Sequence, residues 1–142
     1  MEVSQVRKRL KVAIDGSRER AARRRERVAE AQRAYEQFLN EIAIPVSRQL
    51  ANAMKAEGYA FTVFTPGNGL RLAADRGRDD FIELALDATG DRPEVMARIS
   101  QQRGSRTLDE EVAVKRGADP AAISEDEFLD FLLGALEPWF ER

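Results

Sequence analysis

The chain has 142 residues, 43% of them hydrophobic and 34% charged, which suits one globular domain and excludes wholesale disorder. It contains no cysteine and no histidine. That excludes disulfides, thiolate nucleophiles, Cys-ligated zinc, Ser-His-Asp triads and His-ligated metals. The net charge of −2 conceals an asymmetry: residues 1–34 hold eleven Lys/Arg against five Asp/Glu, and residues 35–142 hold twelve against twenty. A basic arm of +6 on an acidic remainder of −8 steers anionic partners to the arm, or pairs one molecule's arm with another's body.

From Val3 to Glu57 the residues are mostly good helix formers. Apolar positions fall at Val3, Val6, Leu10 and Ala13/Ile14, and then at Val28, Ala31, Tyr35, Phe38 and Ile42. The second set steps 3, 4, 3, 4, a coiled-coil spacing, so these five residues are the expected seam for a partner helix. Between Gly16 and Arg27 only Ala21 and Ala22 are apolar, and Asp15-Gly16-Ser17 is expected to end one helix and cap the next. Pro45 is expected to kink or break the rod, and Gly58 to stop it. An unbroken helix here would be roughly 80 Å long, more than a small globule can cover. The sequence therefore divides into a protruding basic helical arm or coiled coil over 1–45 and a small α+β domain over 46–142.

Seven of the nine glycines lie between Gly58 and Gly117 and punctuate short apolar runs at hairpin spacing. Strands are predicted over Tyr59–Thr65, Leu70–Asp75, Asp80–Thr89 and Glu94–Gln102, each with one apolar and one mixed face. These make a four-stranded antiparallel meander, covered by helices on one side. Val112-Ala113-Val114 is a weaker candidate for a fifth strand.

Ser124-Glu125-Asp126-Glu127 fits a helix-opening capping box. The helix that follows is apolar on more than one face. One stripe (Phe128, Phe131, Leu132, Ala135, Trp139) is expected on the sheet. A second (Leu129, Leu133, Leu136, Phe140) needs another partner, either the helix before Gly58 or a second subunit. Pro138 is expected to end or bend this helix. The fold class is thus α+β: a long N-terminal helix, the meander, and a C-terminal helix packed on one sheet face.

No dinucleotide or phosphate-loop motif occurs, and no cofactor or metal is expected. The acids Asp79, Glu83 and Asp87 share one side of a strand, but the outer two are about 27 Å apart at ~3.3 Å per residue, too far to share one ion. A solvated face with Arg71 and Arg98 as cross-strand partners explains them. The densest local feature is Arg18, Arg20, Arg23, Arg24, Arg25 and Arg27, a candidate anion or nucleic-acid contact without aromatic residues for base stacking. The leading expectation is a non-enzymatic assembly module that self-associates through its helices as a homodimer or higher oligomer, or binds another protein. The alternatives are nucleic-acid binding through Arg18–Arg27, and a ligand or metal site on the open sheet face using Arg71, Glu83, Asp87 and Arg98. With no apolar run of membrane-spanning length and no secretory pattern at Met1-Glu2-Val3-Ser4, no membrane partner and a cytoplasmic location are expected.

Overall fold

The computed structural model describes residues 1–142. The chain divides into two compact units, Met1–Glu30 and Ala31–Arg142. The first is helical throughout and belongs to α1, which runs unbroken over Val3–Phe38. The expected break at Asp15-Gly16-Ser17 does not occur. A lone glycine costs a helix only about 1 kcal/mol relative to alanine, and beyond Asp15 and Ser17 the residues on both sides are mostly good helix formers.

Within the second unit, α1 passes into a π-helical turn, Leu39–Ala43, and then into α2, Ile44–Ala56. Pro45 therefore does not break the rod. The Ile44 N–H donates to the Leu39 carbonyl, five residues back, and Pro45 falls in the first turn of α2, where no donor is needed. The extra residue in that turn rotates everything after it by about 100°. Without it, the buried side of α2 (Ser47, Ala51, Met54) would point away from the buried side of α1 (Tyr35, Phe38). At the far end Gly58, with φ of 93°, closes α2. Its N–H reaches the Lys55 carbonyl and the Tyr59 N–H reaches that of Met54, satisfying two orphan acceptors.

The sheet has five strands: β1 Phe61–Phe64, β2 Leu70–Ala74, β3 Phe81–Asp87, β4 Glu94–Arg103 and β5 Arg106–Ala113. They pair antiparallel in the order of the chain. The fifth strand corrects the expected four. It is long because Gly104, at φ of 60°, lets β4 turn straight back, and its exposed polar sequence hides the alternation by which strands are recognised.

The register places Leu72 beside Ile82 and Ile82 beside Ile99, and likewise Leu70 beside Leu84 and Leu84 beside Ala97. This apolar face carries the core with Tyr35, Phe38, Leu39, Ala43, Met54, Phe128, Leu132, Leu136 and Trp139. α3 spans Glu125–Phe140 and opens with the predicted capping box: the Ser124 hydroxyl accepts from the Glu127 N–H, and the Glu127 carboxylate accepts from the Ser124 N–H. Pro138 lies inside α3 and does not end it. The carbonyl it leaves without a helical donor belongs to Gly134, which is exposed to solvent.

One buried carboxylate fastens α3 to the sheet. Asp80 is 6% exposed and accepts from the Gln102 N–H at 2.8 Å and from both terminal nitrogens of Arg142 at 3.3 Å. Arg142 also donates to the Gln102 carbonyl at 2.8 Å and lies over the Trp139 ring. Burial alone would push the Asp80 carboxyl up. The hydrogen bonds from Arg142 and Gln102, with the arginine's charge, hold it below the usual carboxylate value.

Two outcomes follow for denaturant unfolding of the whole chain. Phe38→Ala should cost about 3–5 kcal/mol through the cavity it leaves, and a loss under 1 kcal/mol would show that the end of α1 is not core. A depressed carboxyl stabilises the fold above its unfolded value of about 3.9, and that stabilisation drains away as pH falls through the lower folded value. Asp80→Asn should therefore cost about 1–3 kcal/mol at pH 7. Its deficit relative to the native chain should shrink as the pH is taken from 5 towards 2; a deficit that stays constant would show that the charge is not involved.

Candidate functional site

Ten large hydrophobic side chains are exposed, and seven of them lie in the first 28 residues: Met1, Val3, Val6, Leu10, Val12, Ile14 and Val28. The unmet apolar surface is therefore concentrated on the N-terminal part of α1. At about 100° per residue, Val3, Leu10, Ile14, Ala21 and Val28 fall within an arc of about 40°. Immediately beside it, over about another 40°, lie Arg7, Lys11, Arg18 and Arg25. On the other flank lie Arg24 and Arg20, with Arg27 further round the helix and Arg23 nearly opposite the stripe. None of these cations makes an ion pair, since all four ion pairs of the chain lie between residues 71 and 142. Only Arg20 has a side-chain partner, the Ser17 hydroxyl at 3.3 Å.

The expected seam is divided by the structure. Val28 is 38% exposed, but Ala31, Tyr35 and Phe38 are buried at 6%, 4% and 3%, and Ile42 is half-buried against the core. Residues 31–45, which the sequence groups with the arm, cluster with the body because they supply its core. Burial pushes the Tyr35 hydroxyl up to about 12, with the negative charge of Glu83 adding to it.

The second α3 stripe is divided too. Leu136 is fully buried, Leu129 and Phe140 are half-buried, and Leu133 is 39% exposed. Between α2 and α3 lies an apolar groove of about 360 Å³, lined by Leu50, Ala53, Met54, Tyr59, Leu133 and Phe140, with Glu57 at its rim. The Tyr59 and Phe140 rings meet edge to face at 5.1 Å and close one end. Along the α3 bank, just beyond the arc of Leu129, Leu133 and Phe140, helix geometry sets Asp126, Asp130, Glu137 and Glu141 in one strip. All four are exposed, and neither they nor Glu57 take part in an ion pair.

On the face of the sheet away from the core, Arg71, Glu83, Arg98 and Asp109 pair with one another. Arg71 on β2 binds Glu83 on β3 at 2.5 Å, and Arg98 on β4 grips Asp109 on β5 with contacts of 2.7 and 3.1 Å. The Arg98 hydrogen bonds hold the Asp109 carboxyl below its usual value. Both guanidiniums lie over the Phe81 ring, at 4.3 and 5.5 Å, and bury it from outside. Asp87 is occupied by its own turn: it accepts from the Thr89 hydroxyl at 2.6 Å and the Thr89 N–H at 3.0 Å. The candidate ligand residues Arg71, Glu83 and Arg98 thus come together but spend their charges on one another and on Asp109. No group of three or more acidic side chains converges as a metal site, and no helix is long and apolar enough to cross a membrane.

No family model, curated protein or solved structure matches this chain. Two features escaped the sequence pattern. The groove is made by residues from distant segments, so no local signal announces it. The basic strip was legible as the 4, 7, 7 spacing of Arg7, Lys11, Arg18 and Arg25, but the denser arginine run that overlaps it masks that spacing.

Proposed function

We propose that this protein is a non-enzymatic assembly module that self-associates through its helices, with the exposed stripe of α1 as the contact. The observation that carries this reading is the aligned row Val3, Leu10, Ile14 and Val28, each 38% to 70% exposed. Scattered surface aliphatics need no explanation, but an aligned row on a helix is the pattern of a face meant to be covered. The lack of histidine and cysteine and the mutual pairing of charges on the open sheet face give no support to catalysis. Of the expected seam, Val28 remains available to a partner, so the contact proposed here lies further towards the N-terminus than the 28–42 spacing suggests.

A second reading has one observation in its favour: Arg18, Arg20, Arg23, Arg24, Arg25 and Arg27 make no ion pair within the chain. Six guanidiniums without an ion pair on one helical segment suit electrostatic contact with a polyanion such as nucleic acid.

Sedimentation velocity over a wide concentration range tests the first reading. The native chain should gain mass with concentration, and Leu10→Asp with Ile14→Asp should stay monomeric with an unchanged circular dichroism spectrum. A native chain that remains monomeric at millimolar concentration removes the reading. For the second, fluorescence anisotropy with a labelled duplex should show binding that weakens by about 10³-fold or more between 50 and 200 mM salt. Binding left intact by Arg23→Glu, Arg24→Glu and Arg25→Glu together would dismiss it.

A further inference from the structure

The arm's stripe is unsuited to meeting its own copy face to face. In a parallel pair, Arg25 on one flank comes opposite Arg20 of the second copy. In an antiparallel pair, Lys11 and Arg18 come opposite the same strip of the other chain. Either way two segments of strongly positive charge are brought together, and like charges across a seam oppose pairing.

The groove between α2 and α3 is the opposite case. It is open and lined mostly by apolar side chains, with Glu57 from the end of α2, and helix geometry sets Asp126, Asp130 and Glu137 of α3, with Glu141 just after it, in an exposed strip beside Leu133 and Phe140. On the arm, the basic strip lies on one side of the apolar stripe. On α3, the acidic strip lies on the same rotational side of Leu129, Leu133 and Phe140. Two helices face each other with such strips in register only when they run antiparallel, because reversing one helix reverses its sense of rotation. The spacings then agree: Arg7, Lys11 and Arg18 step by 4 and 7, and Glu141, Glu137 and Asp130 step back by 4 and 7. With those three pairs aligned, Leu10 and Ile14 fall between Phe140 and Leu133, over the groove.

We propose that the basic-flanked stripe of α1 in one copy docks antiparallel along α3 of a second copy, over the α2–α3 groove, pairing Arg7, Lys11 and Arg18 with Glu141, Glu137 and Asp130. This rests on the self-association reading and names its site. The contact is between unlike surfaces, so it closes as a reciprocal dimer if each arm finds the other's groove and otherwise extends into a chain.

Charge reversal on the full-length protein tests it, read by sedimentation velocity at low and high salt. Asp130→Lys with Glu137→Lys changes exposed residues of the body only, and circular dichroism confirms that it stays folded. It should weaken self-association at least about tenfold, as should Lys11→Glu with Arg18→Glu on the arm. Mixing the two variants should restore association, since each arm-reversed copy fits a groove-reversed one. Self-association that survives unchanged in the Asp130→Lys, Glu137→Lys protein, or a mixture no better than its components, overturns the arm-in-groove contact while leaving self-association standing. A native chain that is monomeric at every concentration overturns both.

Discussion

Phe38 meets Phe128 edge to face with ring centroids 5.4 Å apart, and this contact joins the end of the longest helix to the start of the last one above the apolar sheet face. Both rings are buried, at 3% and 0% exposure. Around them gather Leu39 and Ala43 from the π-helical turn, Leu132 and Leu136 from α3, and the β2–β4 side chains beneath. Burying an aromatic ring contributes several times more than any single surface ion pair. The contact also decides where α1 changes character. Up to Glu30 the helix is solvated, with Val3 to Ile14 largely bare; from Ala31 onward one side of it, Ala31, Tyr35 and Phe38, is interior.

The π-helical turn is what makes one long helical segment serve the core twice. Proline at position 45 rules out a regular ladder through Glu41, whose carbonyl would meet a ring instead of a donor. One additional residue resolves that conflict and, by the same rotation, brings Ala51 and Met54 back toward the sheet. The irregular turn thus has a nameable cause. It also sets α2 alongside α3, and the gap left between those two helices is the groove.

Much of the fold was legible because the core obeys short-range rules. The capping box at Ser124, the stop at Gly58 and the alternation of Ile82 and Leu84 or Val95, Ala97 and Ile99 are local patterns, and the structure follows them. Of β5 only the end, Val112-Ala113, was legible, because the rest of the strand is exposed and shows no apolar alternation. The break expected at Gly16 does not occur because the helix formers on either side outweigh one glycine, and at Pro45 the irregularity takes the form of a π-helical turn in place of a break. The 28–42 spacing was read correctly as an apolar stripe, but periodicity cannot say whether a stripe is covered by its own chain. Phe38 answers to Phe128, 90 positions away, and only tertiary structure shows that. The buried carboxylate of Asp80 was equally invisible, since its partner Arg142 is 62 residues distant.

The two rims of the sheet bear on how such a chain meets its neighbours. One rim, β1, is only four residues long, and Pro66 follows shortly after it. The other, β5, shows solvent two adjacent carboxylates that take part in no ion pair, Glu110 and Glu111. Brevity on one side and repulsion on the other make strand-to-strand accretion unfavourable. A sheet that resists continuation in both directions is guarded against growth by strand addition, and that leaves helical surface as the safer medium for any company the molecule keeps.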